Sequence, residues 1–496
     1  MFHRIIPNDF VGTIYFLRFL SVLVVLLFPA AALSHSAERG LVMLLPTGYY
    51  IAGGALAVLI TFILVSLART EWLAVLVNYR RAIFSLPVIS NIWSSNLSFL
   101  LLLLLVIAGL TGSSDPLSNP LPLFIWTLWW VGFTLLQFLV GNLWNHLNPW
   151  SGPVWLLRRS SSLKIPPFKF PRALGYSPAI LFYFGFIWFE LVDLAPESPP
   201  RLAIAISIYW SVHFIGILLF GEQTWRSRAE PFSIFFRLVG HCSPLVRERH
   251  MDAKLGRQKV RFYLTWPGRS LVFLPALTLS GTLFVLLTLS SVSFDGFSKT
   301  FTWLSWTGIN PLYFPGRSVV QFENTLGICL GFTVLATLFS CAVLFGGKIA
   351  TGNNQGSGSA PWVAASGRLV YSIIPISIAF HLAHYLTVLL VNGQYALIAF
   401  ADPLNMGWTS DSHALHVTTS FLSNIYSVSI IWTIQTVVIV IGHILGIVVA
   451  HLIAKELYHS SNQSMWVTGI SQAFMAILMV GYTVFGLWLL STASIG

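Results

Sequence analysis

Long apolar runs constrain this chain more than any other feature of its sequence. A helix needs about 20 mainly apolar residues to cross a bilayer, because it rises about 1.5 Å per residue. Candidate runs lie at 11–33, 43–68, 93–111, 121–141, 176–195, 202–220, 270–292, 324–347, 368–391, 424–454 and 465–490. The chain is 56% hydrophobic and only 9% charged, which excludes a soluble protein. We therefore predict an all-α, polytopic transmembrane helical bundle with ten or eleven spanning helices.

The basic residues predict the orientation of these helices. If the amino terminus is cytoplasmic, the cytoplasmic loops and tail hold 22 of the 27 Lys and Arg residues. The opposite side holds four, namely Arg39, Arg201, Lys299 and Arg317. Cytoplasmic loops of membrane proteins are enriched in Lys and Arg, so loops 69–92, 142–175 and 221–269 are predicted to be cytoplasmic. The expected partner of the +11 chain is then the lipid bilayer of a bacterial inner membrane, and not nucleic acid.

The same pattern divides the chain into three parts. Residues 1–34 are either a signal peptide or a first transmembrane anchor, because Arg4, an apolar run and small residues before His35 fit both. Residues 35–347 would form transmembrane helices 2 to 8 with basic loops. Residues 348–496 would form helices 9 to 11, which contain histidines, and an acidic periplasmic loop.

Histidines inside the predicted spans are the first candidates for chemistry. His213, His381, His384 and His443 all fall within about 7 Å of the centre of their spans, at 1.5 Å per residue. His381 and His384 are three residues apart and share a helix face. We expect His443, on the next helix, to face His381. The small residues Gly442, Gly446 and Ala450 beside His443 would permit close approach of a neighbouring backbone.

The histidine cluster has two interpretations. Each imidazole can simply bond a neighbouring helix and fix packing. Several imidazoles at one depth can also bind a transition metal such as copper or zinc, or relay protons. Haem is the weaker alternative.

A second set of candidates lies on the predicted periplasmic side. It consists of acids and imidazoles with few cations nearby, which suits a divalent metal, although a solvated loop would look the same. These residues are Glu190, Asp193, Asp295, Asp402, Asp411, His413 and His416. Cleavage of the first segment would add the amine and imidazole of His35 as a copper ligand.

Several short segments, taken in order, resemble a family of polytopic bacterial membrane proteins labelled fenitrothion hydrolase, and the resemblance runs over most of the chain. The segments are His35 before Leu44-Leu45-Pro46, Asn148-Pro149-Trp150, Trp188-Phe189-Glu190-Leu191, Phe294-Asp295-Gly296-Phe297, Ala383-His384-Tyr385, Asp402-Pro403-Leu404, Gly442-His443 with Gly446 and His451, and Gly486-Leu487-Trp488-Leu489-Leu490-Ser491.

The resemblance implies a membrane protein that hydrolyses an apolar organophosphorus ester, working with a second membrane subunit. Phosphotriester hydrolysis uses a metal-activated water, for which His and Asp side chains are suitable ligands. Glu190 or Asp295 would be the general base. The predicted metal ligands are His35, His213, His381, His384, His443 and Asp402.

Two other functions remain open from the residues. One is a non-catalytic protein that handles copper or another transition metal, or an accessory subunit of a larger redox complex. The other is an ion-coupled transporter, since intramembrane ionisable residues also mark ion and proton pathways. The hydrolase and the metal-handling protein or redox subunit mostly require a bound metal, whereas the transporter does not.

Overall fold

A computed structural model describes residues 45–88, 90–160, 166–252, 257–313, 316–351, 359–404, 406, 417–458 and 465–492. The predictions made for residues 1–34, His35, Asp411, His413 and His416 lie outside these ranges.

The described chain is a bundle of helices. In chain order the helices are α1 Thr47–Ser66, α2 Thr70–Asn78, α3 Asn91–Thr111, α4 Pro120–Val140, α5 Trp144–Leu147, α6 Ser151–Ser160, α7 Ser177–Leu191, α8 Pro199–Phe220, α9 Glu222–Arg228, α10 Pro231–His241, α11 Leu279–Ser298, α12 Phe301–Trp306, α13 Gln321–Thr351, α14 Ser359–Leu369, α15 Ile373–Ala401, α16 Ile425–Tyr458 and α17 Met465–Ser491. Short 3-10 turns lie at Arg172–Leu174, Arg269–Phe273, Pro311–Tyr313, Arg317–Val319, Val370–Ser372 and Ser420–Ser423.

In the described part of the chain, nine helical stretches are long and apolar enough to cross a membrane. They are α1, α3, α4, α8, α11, α13, the stretch Trp362–Ala401 that contains α15, α16 and α17. Helix α7 is apolar but shorter, at 15 residues. The prediction of an all-α, multi-pass membrane bundle is confirmed.

Two predicted boundaries were wrong in a way that matters for function. A span was expected at 270–292, but Arg269–Phe273 is a 3-10 turn and α11 begins only after Thr278. The hydroxyl of Thr278 accepts a hydrogen bond from the Gly281 amide and caps the helix. Helix α11 therefore continues to Ser298 and carries Asp295, which had been predicted in an outer loop. Helix α15 likewise continues to Ala401, well beyond the predicted end at residue 391.

A three-stranded antiparallel sheet was not predicted. Its strands are β1 Arg81–Pro87, β2 Leu245–Asp252 and β3 Arg257–Leu264, in the order β1-β3-β2. The sheet joins loop 69–92 to loop 221–269. Loop 142–175 meets the same region, since the Ser94 hydroxyl donates to the His146 carbonyl and the Phe168 amide to the Leu219 carbonyl.

These contacts place the three basic loops on one side of the bundle, hereafter the basic side. The prediction that the three basic loops share a side is confirmed. The assignment of this side to the cytoplasm stays a prediction. The other side is called the opposite side.

Helices differ in how much of their surface is covered. Helices α11 and α16 are mostly buried, whereas only 22% of the apolar window is buried in α1 and in α3, as expected for helices that face lipid. Helix α16 lies very close to α15 because of two glycines. A Cβ atom at Gly442 would lie 2.3 Å from the Cβ of Ala379, and one at Gly446 would lie 2.8 Å from the Ser372 carbonyl oxygen. The predicted close approach at Gly442 and Gly446 is confirmed.

The orientation can be tested by cysteine labelling after Cys242, Cys329 and Cys341 have been replaced by Ala. Ser85 is exposed on the basic side and Tyr313 is 82% exposed on the opposite side. A membrane-impermeant maleimide added to intact cells should label Tyr313→Cys, and should label Ser85→Cys only after permeabilisation. The reverse pattern would show that the predicted orientation is inverted.

Candidate functional site

Three helices bring ionisable side chains together in the half of the bundle nearer the opposite side. Glu190 lies in the last turn of α7, Asp295 in the last turn of α11, and His384 and Tyr385 in α15. Lys299 follows directly after α11. We call Glu190, Asp295, Lys299, His384 and Tyr385 the polar cluster.

Asp295 is the centre of the polar cluster. It is only 2% exposed, and both of its carboxylate oxygens have partners. Oδ2 accepts hydrogen bonds from His384 Nε2 and from the Tyr385 hydroxyl, each at 2.7 Å. Oδ1 pairs with Lys299 Nζ at 2.8 Å. A buried carboxylate is very costly without such partners, so these contacts allow Asp295 to be ionised inside the bundle.

Tyr385 connects the two carboxylates. Its hydroxyl lies 2.7 Å from Asp295 Oδ2 and 3.0 Å from Glu190 Oε1. A phenol has a single proton, so the Tyr385 hydroxyl can donate a full hydrogen bond to only one of the two acids at a time. With both acids ionised and His384 neutral, the polar cluster has one net negative charge, because Lys299 supplies a single positive charge.

Access to the polar cluster is from the opposite side. The Lys299 side chain is 46% exposed and that of His384 is 18% exposed. His384 bonds Asp295 through Nε2, and its Nδ1 lies beside Gly296, where a Cβ would be 3.6 Å away. Nδ1 is therefore the ring nitrogen turned away from Asp295.

Two of the few cations of the opposite side fix the end of α7. Arg317 donates to the carbonyl oxygens of Glu190 and Asp193, at 2.9 and 3.2 Å. Arg201 pairs with the Asp193 carboxylate at 2.6 Å. Burial alone would raise the pKa of Asp193, but the hydrogen bond and charge of Arg201 lower the pKa below its ordinary value. Asp193 is thus an anchor of the turn after α7, outside the polar cluster.

Helix α4 has an unusual backbone beside the polar cluster. Residues Leu123–Phe133 form a π-helix, a rare conformation that often occurs at functional sites. The Trp130 carbonyl oxygen accepts hydrogen bonds from the Thr134 hydroxyl at 2.6 Å and from His381 Nε2 at 2.9 Å. The rings of Trp130 and Tyr385 both contact the His381 ring edge to face. The π-helix therefore holds His381 directly behind Tyr385.

The expectation that His381 and His443 face each other was wrong. His381 points to Trp130 of α4. His443 Nδ1 donates to the Ile439 carbonyl of its own helix, and its ring lies near Tyr482 of α17. The depth of a residue along its helix does not fix the direction in which its side chain leaves that helix.

His213 belongs to a separate aromatic cluster. Its Nδ1 accepts a hydrogen bond from the Trp225 indole at 2.9 Å, and its ring packs on Tyr209, Phe182 and Trp150. The contacts of His213 are those of a packing residue.

Asp402 ends α15, where its Oδ1 accepts the Met406 amide at 2.8 Å. Within the described ranges, no group of three or more His, Cys, Asp or Glu side chains is placed to hold a metal ion. The copper, zinc or haem site therefore stays a prediction.

Three members of the polar cluster, Glu190, Asp295 and His384, were candidates from the sequence. The roles of Lys299 and Tyr385 were missed. Lys299 had a detectable signal, because it lies four residues after Asp295 on the same helix face.

No protein-family model matches this sequence, and no curated protein or solved structure matches it either. The resemblance to the fenitrothion hydrolase family thus stays a prediction, and the function has to be argued from the geometry of the polar cluster.

Removing the Tyr385 hydroxyl should destabilise the protein. In Tyr385→Phe, whichever of Glu190 and Asp295 accepts the hydroxyl proton loses a buried hydrogen-bond donor, which costs roughly 1–3 kcal/mol. The thermal midpoint of the detergent-solubilised protein should fall accordingly. Tyr395→Phe is the matched control, because Tyr395 lies on the same helix and packs against an apolar cluster. Equal midpoints for the two variants would contradict the bridging role of Tyr385.

Proposed function

We propose that this protein is an ion-coupled membrane transporter that binds and passes protons at the polar cluster. The observation that carries the proposal is the Tyr385 hydroxyl, which lies within hydrogen-bonding distance of both Glu190 and Asp295. Chains of Asp, Glu and His inside membrane spans are typical of proton relays in pumps and transporters.

The charges of the polar cluster support a proton as the ion. Two carboxylates that share one hydroxyl repel each other, and Lys299 compensates only one of them. A proton bound by either acid balances the remaining charge. His384 contacts Asp295 and is partly exposed, so it can pass a proton between the acids and the opposite side.

The donor set argues against a metal at Asp295. One oxygen is occupied by Lys299, and the other by His384 and Tyr385. A metal bound there would have to displace the Lys299 ammonium, which carries the same sign of charge. No step of the proposed function passes through a metal.

The transport proposal can be tested in liposomes that contain a trapped pH-sensitive dye. After a pH gradient is imposed, vesicles with the wild-type protein should take up protons faster than protein-free vesicles. Glu190→Gln keeps the shape of the side chain but removes its ionisable group, so the protein-dependent rate should fall about a hundredfold. Glu197→Gln, in the exposed turn before α8, is the control and should match the wild type.

Two results would contradict transport. One is a wild-type rate equal to that of protein-free vesicles, and the other is an unchanged rate in Glu190→Gln. An inactive purified chain would favour the accessory-subunit alternative.

A second proposal, hydrolysis of an apolar organophosphorus ester, is favoured by one observation. Three of the segments that carry the family resemblance contribute side chains to the polar cluster, through Glu190, Asp295 and His384. The contact between His384 and Asp295 resembles an acid–base pair, in which the carboxylate orients the imidazole and the other ring nitrogen accepts a proton from water.

The hydrolase proposal predicts release of nitrophenol from a nitrophenyl phosphotriester by the purified protein. His384→Gln should reduce the rate about a hundredfold, since it removes the acid–base group. His250→Gln, on the basic side, is the control and should not reduce the rate. A chelator added to the wild-type protein separates a metal-dependent reaction from simple acid–base catalysis. Equal rates for His384→Gln and the wild type would exclude the polar cluster as a hydrolytic site.

A further inference from the structure

The sheet on the basic side has two different faces, and their contacts can be followed across the strands. Phe84 of β1 stacks on Phe262 of β3, with ring centroids 4.5 Å apart. The Arg247 guanidinium of β2 lies over the same Phe262 ring. Arg247 also donates to the carbonyl oxygen of Val140, at the end of α4. This face of the sheet is therefore turned toward the helix bundle, and we call it the bundle face.

The other face is turned away from the bundle. Arg80 pairs with Glu248 at 2.9 Å and lies over the Tyr263 ring. Tyr263 and Glu248 are the neighbours of Phe262 and Arg247 in their strands, so their side chains point to the opposite surface. We call this surface the solvent face.

Residues can be assigned to the bundle face from the strand register. Arg81 is paired with Leu264, and Leu86 and Arg249 are both paired with Val260. Paired residues of antiparallel strands point to the same side, and alternate residues of a strand share a face. The bundle face thus carries Arg81, Phe84, Leu86, Leu245, Arg247, Arg249, Met251, Val260, Phe262 and Leu264.

Much of the bundle face is not covered by protein. Phe84 and Leu86 are each 46% exposed, Met251 is 61% exposed and Leu264 is 41% exposed. Arg81 and Arg249 are exposed as well. Strand β1 is the edge strand, and all seven of its residues are exposed. The β2 edge is fastened to the bundle through Arg247, whereas the β1 edge is exposed along its whole length.

The charges of the bundle face are all of one sign among the described residues. It carries three arginines, while the carboxylate of Glu248 lies on the solvent face. An apolar surface with positive charge and no negative charge is complementary to the interfacial region of a bilayer that contains anionic lipid.

We infer that the bundle face of the sheet rests on the membrane surface, with Phe84 and Leu86 in the interfacial layer and Arg81 and Arg249 against anionic lipid headgroups. The helix that leads into β1 fits this placement. Trp72 and Val75 of α2 are 66% and 52% exposed, and α2 follows α1, which itself faces lipid. Aromatic residues at the end of a span are typical of the membrane interface.

Neighbouring residues of β1 allow a matched test of depth. Nitroxide labels at Phe84→Cys and Ser85→Cys, in a chain without its own cysteines, are compared in nanodiscs that contain phosphatidylglycerol. The label at position 84 should collide with dissolved oxygen and be shielded from a water-soluble nickel chelate. The label at position 85 should be accessible to the nickel chelate and should collide less often with oxygen. Shielding of position 84 from both reagents would indicate a protein contact and would overturn the inference.

A second experiment tests lipid recognition and needs no label. Phosphatidylglycerol added to the detergent-solubilised protein should raise its thermal midpoint, whereas the same concentration of inorganic phosphate should not. Arg81→Gln and Arg249→Gln should each raise the lipid concentration required about fivefold. Arg261→Gln, on the solvent face, is the control and should change it little. Equal effects of Arg249→Gln and Arg261→Gln, or an equal effect of free phosphate, would overturn the inference.

Discussion

Asp295 sets the arrangement of the helices around it, because a carboxylate in an apolar bundle must have partners or lose its charge. Its three partners come from two directions. Lys299 is supplied by the same helix, whereas His384 and Tyr385 are supplied by α15. Tyr385 then reaches α7 through Glu190. Compensation of one buried charge thus fixes the relative positions of α7, α11 and α15 more sharply than apolar packing does, since hydrogen bonds are directional and apolar contacts are not.

The segments that resemble the hydrolase-labelled family serve two different purposes. Asn148-Pro149-Trp150 is structural: Asn148 Oδ1 accepts the backbone amides of Trp150 and Ser151, and the Trp150 indole donates to the Trp210 carbonyl. Glu190, Asp295 and His384 instead meet in the polar cluster. A segment that resembles a family is therefore no guide by itself to chemistry, and only the geometry separates the two purposes.

Sequence reasoning predicted the features that depend on local composition. Apolar runs located the helices, the glycines of α16 predicted its close contact with α15, and the basic residues predicted which loops share a side. Other features depend on direction or on distant pairing. The depth of His381 and His443 could be counted along their helices, but which neighbour each imidazole faces is decided by the packing of α4 and α17. Strand β1 pairs with a strand more than 170 residues later, and pairing over such a distance leaves no signal in the local sequence.

The tight contact between α15 and α16 has a mechanical consequence. Gly442 lies against Ala379 of α15, and Gly446 lies against the Ser372 carbonyl just before α15, so we expect the two helices to move together as one body. His384 and Tyr385 travel with that body. Glu190 does not, because it belongs to the short helix α7, whose end is held by Arg317. The hydrogen bond from Tyr385 to Glu190 therefore connects α7 to the pair α15 and α16, and a movement that separates α7 from α15 breaks it.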